Sequence, residues 1–373
     1  MPGRPDVRAT SQTGDSLRPL TVALTLGDPA GVGPEVALRA ARALLRRRPG
    51  RFAGSASGRS TARLLLVGDR RSTVETVERL RLPIEVVDAG AARGRGNRLE
   101  LPLVPPGDGR APGPLGALER RPGKPSIAGA RVAYESIRTA VRLARAGEVD
   151  AICTAPINKH WFDRARVAST GHTEILAALT RSPRVRLMMT TGSLRVVLAT
   201  THLAIRDVAR ALTVAGIHET IIVTAAHLEK WWGIVRPRVA VAALNPHASD
   251  GGVYGDEEAR LIAPAIARAR RSGIDALGPV PGDTLFSAVG PRADAVVAMY
   301  HDQGLIPVKQ LDVHHAVNVT LGLPFVRTSP DHGTAYDLAG TGRADPTSMQ
   351  SALELALRLA AIERRQALPK RTR

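Results

Sequence analysis

Short apolar runs alternate with stretches of helical periodicity along most of this chain, and that alternation limits its fold more than any other feature. Residues 20–26, 64–67, 151–154, 194–199, 239–244 and 295–299 are apolar or β-branched, apart from Arg195, and bounded by polar or turn residues. Runs of that length read as strands. Helical patterns lie between them. Pro34 suits the first position of a helix reaching about Leu45. Residues 72–80 form a second helix, and 127–146 carry Val132, Ile137, Val141 and Leu143 at helical spacing. Asp345-Pro346 supplies a capping residue and a first-position proline for a last helix ending near Arg365. Such alternation predicts an α/β protein with largely parallel sheets. Residues 1–18 read as a disordered extension, 46–63 as a basic surface loop, 102–125 as a Gly- and Pro-rich connection, and 367–373 as a basic tail.

Composition narrows the class. A chain of 373 residues that is 44% hydrophobic and 23% charged is neither disordered, collagenous nor a coiled coil. Its length allows two domains. No apolar run reaches the ~18 residues of a spanning helix, and the N-terminal stretch has no signal-like apolar core, so the expected compartment is the cytoplasm. With Cys153 as the only cysteine, neither an internal disulfide nor a Cys-built zinc site can form. The formal net charge of +18 rests almost wholly on arginine, since only five of 52 basic residues are lysines. Aromatics make up 3% and the basic clusters contain no nucleic-acid motif, so no specific nucleic-acid partner is expected. A basic surface does suit a phosphorylated substrate.

Three of the ten histidines share one context. His202, His247 and His301 each lie just beyond the carboxyl end of an expected strand. Ligands of open α/β sheets bind along that edge. Converging imidazoles there would hold a divalent metal, with Asp302 as a further ligand or as a partner of His301. Three unrelated loop histidines are the alternative. Residues 27–33 (GDPAGVG) form a strand-to-helix loop that is neither a P-loop nor a dinucleotide fingerprint. It reads either as an anion cradle at a helix start or as a tight turn. Gly171-His172-Thr173-Glu174 opens a helix, with Thr173 as its cap or as an anion donor. Lys309, Asn318 and Arg327 are the cation and donor types that a phosphate or carboxylate requires. Residues 331–340 are rich in small side chains that let backbone approach a flat ligand.

Taken in order, these motifs resemble the 4-hydroxythreonine-4-phosphate dehydrogenase family of vitamin B6 biosynthesis. The matching stretches are LTLGDPAGVGPEV from Leu24, TAPINK from Thr154, GHTEIL from Gly171, THLAIRDV from Thr201, LNPHASDGGVYGDEE from Leu244, GPVPGDTLF from Gly278, YHDQGLIPVK from Tyr300 and VNVTLGLPFVRTSPDHGTAYDLAG from Val317. They span roughly residues 20–365. The resemblance implies an isocitrate/isopropylmalate dehydrogenase-like fold, with two α/β/α domains flanking an active-site cleft. The first unit would cover 19–160 and 300–366, and the second, with dimer contacts, 161–299. It further implies NAD or NADP at His332, Gly333, Thr334 and Ala335, and one divalent metal (Zn, Mg or Co) on His202, His247 and His301. Substrate contacts fall on His172, Thr173, Lys309, Asn318 and Arg327, with Lys309 and Asp302 as the catalytic candidates. The metal site would combine residues of two subunits, so a homodimer is implied. The activity expected is oxidation of 4-phosphooxy-L-threonine at C3 with decarboxylation. The alternative is a related sugar-acid phosphate, 4-phospho-D-threonate or 4-phospho-D-erythronate.

Overall fold

The computed structural model describes residues 18–46, 62–90, 99–107, 115–168, 171–287, 290 and 292–367. The chain opens with β1 (Leu20–Thr25), α1 (Gly33–Arg46), β2 (Ala62–Val67), α2 (Arg70–Arg79), β3 (Ile84–Asp88) and β4 (Leu99–Val104). Next come α3 (Ile127–Arg145), β5 (Ala151–Thr154), α4 (Lys159–Arg164) and α5 (His172–Thr180). A hairpin of β6 (Arg186–Thr191) and β7 (Leu194–Leu198) precedes α6 (Ile205–Ala211) and α7 (Val214–His227). Then follow β8 (Arg238–Ala242), α8 (Ala263–Arg271), β9 (Asp275–Val280), α9 (Gly282–Leu285) and β10 (Ala295–Ala298). The order closes with α10 (His301–Asp312), β11 (Val317–Leu321), β12 (Val326–Pro330) and α11 (Thr347–Ala367).

All twelve strands join one sheet in the order β3-β4-β2-β1-β5-β12-β11-β6-β7-β10-β8-β9. Pairing is parallel from β3 to β12 and again from β7 to β9. The three junctions between these blocks, β12–β11, β11–β6 and β6–β7, are antiparallel. The expected α/β class is therefore present, with an antiparallel centre that the apolar runs did not announce. Three reversals leave the two parallel blocks pointing opposite ways along the sheet.

Helices cover both faces, which is why β1, β5, β10 and β12 are buried at every residue. α1, α7, α8 and α11 pack on one face, where Val36, Ile221, Ile266 and Leu353 meet Val22, Val197 and Val239. On the other face, α3 packs Ile137 and Ala140 against Ala23 and Ile152. α10 packs Leu305 and Val308 against Val196 and Ala298. Gly304 makes that contact possible: a Cβ there would sit 2.7 Å from a Leu198 methyl and 2.8 Å from one of Val196.

Some boundaries differ from expectation. Arg18 is ordered by a two-pronged contact with Asp150 at 2.8 and 3.1 Å, so only 1–17 of the expected extension lie outside the described residues. Residues 47–61 of the basic loop and 368–373 of the tail also lie outside them. β2 begins at Ala62, and β4 takes up the start of the expected long connection. Asp345 caps as expected, accepting from the Thr347 N–H at 3.0 Å, and the helix begins at Thr347. No single described helix is long and apolar enough to cross a membrane.

Candidate active site

Strand alternation builds the site floor. Ile152 faces α3, while Cys153 faces α11, its Sγ lying 3.7 Å from Met349 Sδ. Thr154 therefore faces the α3 side. Arg327 joins it there, donating to Thr154 Oγ1 at 2.6 Å and to Thr320 Oγ1 at 2.9 Å. On this face α3 lies over β1, β2 and β5, and α10 over β6, β7 and β10. β12 and β11 lie between them and form the floor of a cleft.

That floor carries polar groups without partners. Arg327 is 2% exposed, and its hydrogen-bond acceptors are hydroxyls rather than a carboxylate. Burial lowers its guanidinium to about 10, which still leaves it charged near neutrality. Among the described residues its Nε has no partner, nor have His172 Nε2, Asn318 Oδ1 and His332 Nε2, all shut off from solvent. Burial, aided by the Arg327 charge, holds the His172 imidazole well below the ordinary histidine value, so it is neutral. A cavity of about 90 Å³ is lined by Thr154, Pro156, Ile157, His172, Ser329 and His332. Asn318 pairs with Ser329 across the strands, which brings it alongside. A buried polar group without a partner costs roughly 1–3 kcal/mol. Two that line this cavity, with Arg327 and Asn318 on the strands beside it, describe a place for a polar ligand.

Thr173 is not the helix cap. Gly171 holds that position without any side-chain hydrogen bond, and Thr173 is the second helical residue. It lines a larger cleft of about 630 Å³ with Glu174, Thr200, Thr201 and His202. Lys309, near the end of α10, is ion-paired with Asp331 at 3.1 Å.

The three histidines follow β7, β10 and β8, which are neighbours in the sheet. The rings of His202 and His301 lie 5.7 Å apart. Burial, Lys159 and His301 together keep the His202 imidazole below its ordinary value. Asp302 engages His301 Nδ1 at 2.7 Å, leaving Nε2 for another partner. His247 stands apart on an exposed loop where residues 247–250 all have positive φ. Among the described residues, no three His, Cys, Asp or Glu side chains are grouped to hold a metal ion.

Glu258, which the residue patterns did not single out, holds that loop. Its carboxylate accepts from the N–H groups of Leu244 and Asn245, both at 2.7 Å, and from the Ser249 hydroxyl. Burial pushes the Glu258 carboxyl upward, but these hydrogen bonds outweigh it and leave the group below its ordinary value. Gln303 ties the two loops together, donating to Ala243 O at 2.6 Å.

Residues 27–33 are no anion cradle. Asp28 N–H donates to Pro156 O at 3.0 Å, Ala30 N–H to Asp28 Oδ1 at 2.9 Å, and Val32 N–H to Thr334 O at 2.9 Å. Two of these donors are engaged by neighbouring loops and one by the loop's own aspartate. The loop instead supports residues 331–340, where Gly333 is exposed with open space around its Cα and Ala335 has φ 37°.

A family model described as the pyridoxal phosphate biosynthetic protein PdxA matches residues 60–356. The chain belongs to the PdxA family. The matched span holds every candidate residue from His172 to Ala335. A 4-hydroxythreonine-4-phosphate dehydrogenase of Geobacter metallireducens is 44% identical, covering 92% of this chain and 96% of its own. A D-threonate 4-phosphate dehydrogenase of Salmonella typhimurium is 41% identical, covering 91% and 99%. The crystal structure of a 4-hydroxythreonine-4-phosphate dehydrogenase from Klebsiella pneumoniae aligns with a TM-score of 0.76 at 36% identity, over 91% of this chain and 99% of that one.

Within this family fold, Thr154, Thr320 and Ser329 complete the floor, although residue type alone did not mark them. Thr320 lies two residues beyond Asn318 on β11, so period-two alternation was the available signal. Glu174 and Glu258 lay inside the motifs, unremarked, because an isolated carboxylate carries no spacing signal.

Proposed function

We propose that this chain catalyses NAD- or NADP-dependent oxidation of 4-phosphooxy-L-threonine at C3, with loss of CO2 to 3-amino-2-oxopropyl phosphate, in pyridoxal 5'-phosphate biosynthesis. The observation that carries this reading is the set of unpartnered buried groups on the cleft floor: His172, Asn318, Arg327 and His332. A neutral imidazole, an amide and a buried cation suit a ligand that is anionic and hydroxylated. Arg327 supplies the charge, while His172 and Thr173 orient the phosphate. Lys309, steadied by Asp331, holds positive charge or moves a proton at the reacting alcohol.

His202 and His301 suit a divalent ion, since both are imidazoles with a ring nitrogen to offer. His247 would complete the set from across a subunit boundary. A divalent metal (zinc, magnesium or cobalt) held there would supply Lewis acidity at the substrate alcohol, and NAD or NADP held by residues 332–335 would supply a hydride acceptor. Asp302 orients His301 for that task. Leu203, Ile205, Val253, Tyr254 and Ile306 are exposed on the same elements as the histidines, which favours a homodimer through this face. The reversal of strand direction between β12 and β7 supports two α/β/α units flanking the cleft. The expected compartment is the cytoplasm.

A second reading is oxidation of 4-phospho-D-threonate or 4-phospho-D-erythronate, favoured by the Salmonella relative. The test is NADH formation with each of the three substrates, a divalent metal and NAD. Preference for 4-phosphooxy-L-threonine supports the first reading, and preference for a sugar acid supports the second. No turnover of any substrate discards both.

A further inference from the structure

We propose that Asp28 is a positioning residue for the dinucleotide, acting through Tyr336 on residues 331–340. The inference rests on the cofactor role proposed for that segment. Tyr336 O–H donates to Asp28 Oδ2 at 2.6 Å, and Asp28 Oδ1 accepts the Ala30 N–H at 2.9 Å. Asp28 is 1% exposed, so both oxygens depend on these donors. Burial raises the Asp28 carboxyl, and burial beside Asp28 pushes the Tyr336 hydroxyl far above its ordinary range, so the phenol keeps the proton it donates.

Two further contacts hold the same segment. Val32 N–H donates to Thr334 O at 2.9 Å, with Gly31 so close that a Cβ would lie 2.9 Å from that oxygen. Arg39 donates to Gly342 O at 3.1 Å and Ala344 O at 2.6 Å, backed by Glu35 at 3.6 Å. α1 and the loop before it thus hold the segment at Thr334 and Tyr336 and the chain just beyond it at Gly342 and Ala344. The grip has a purpose. Ala335 holds a left-handed conformation that non-glycine residues avoid, and the fixed points at Thr334 and Tyr336 flank it. Gly333, Gly340 and Gly342 would otherwise let the backbone wander. A ligand meeting an unfixed loop must order it on binding, which weakens affinity without altering the chemistry. GDPAGVGPEV therefore works as a clamp on the cofactor loop.

The test uses Tyr336→Phe, which keeps the ring, and Asp28→Asn, which keeps an acceptor oxygen. Hydrogen exchange of residues 333–340 is followed with and without NAD, beside steady-state kinetics for NAD and for the phosphorylated substrate. NAD should protect this segment in the unmodified protein. Tyr336→Phe should speed its exchange and raise the KM for NAD roughly tenfold, as expected for one lost charge-assisted hydrogen bond. kcat and the KM for the phosphorylated substrate should hold within about twofold, and Asp28→Asn should show a weaker form of the same split. Unchanged exchange, an unchanged KM for NAD, or equal damage to both KM values overturns the inference while the cofactor reading stands. Absence of NAD protection in the unmodified protein overturns the cofactor reading, and the inference with it.

Discussion

The carboxyl ends of β1, β5 and β12 and those of β7, β10 and β8 make an instructive pair. The loops of the first block are packed into one another. Residues 27–33 touch Pro156 and Thr334 through backbone hydrogen bonds, and the polar groups beside them are buried. The second block ends in loops that present exposed His202 and His247 and half-buried His301 among exposed apolar side chains. The first gathers buried polar groups beside a small cavity. In the second, among the described residues, the imidazoles do not group to hold a metal ion within one chain. Strand ends are where ligands bind in such sheets, yet that rule does not say whether one chain completes the site.

The largest effect should come from the second block. His301→Ala and His247→Ala should lower turnover by more than the roughly 10–100-fold typical of residues behind a metal ligand. Metal content should fall with it, while the far-ultraviolet circular dichroism stays unchanged because neither residue is buried. Full activity in either variant would remove it from the metal set. A mixing experiment sharpens the comparison. Co-expressed His172→Gln and His247→Ala chains, each inactive alone, should regain about a quarter of full activity if His247 joins the site from across a two-fold interface. No recovery would place both halves of the site in one chain.

A smaller effect should appear at the first block. Arg327→Met should raise the KM for the phosphorylated substrate by about 10–150-fold, the equivalent of roughly 1.5–3 kcal/mol for a charge-assisted hydrogen bond. Its melting temperature should rise, since a buried cation without a carboxylate partner is replaced by an apolar side chain. A lowered melting temperature would show that the Thr154 and Thr320 contacts outweigh the burial of charge.

The smallest effect is a pH slope. The folded state keeps His172 neutral well below its ordinary value of 6.5, so below that pH the unfolded chain binds the extra proton. Stability from this residue is unaffected above 6.5 and declines as the pH falls below it. His172→Gln should flatten that part of the curve of unfolding free energy against pH, and an unaltered slope would mean that His172 is open to water.

Much of this could be read from residues alone. Strand and helix positions followed from spacing, and the Asp345 cap from residue type, because both are set by neighbours within a few positions. The three histidines were legible because a residue just past a strand falls on the sheet edge whatever the sheet order. Of the two roles open to Thr173 the cap is not taken, and of the two readings of 27–33 the turn fits better than the anion cradle, since free N–H groups at a helix start are a local expectation that distant carbonyls can cancel. Pro156 O and Thr334 O lie more than a hundred residues along the chain from the donors they engage.

By itself, then, the amino-acid order determined the α/β class, the boundaries to within a few residues of the six strands and four helices read from spacing, and a set of residue types suited to chemistry. Only the tertiary structure decided that β7, β10 and β8 are adjacent, that the sheet reverses at β11 and β6, and that Arg327 is buried against two hydroxyls. The reason is physical. Local conformation depends on contacts a few residues apart, whereas strand order and the partners of a buried polar group depend on which distant surfaces exclude water together.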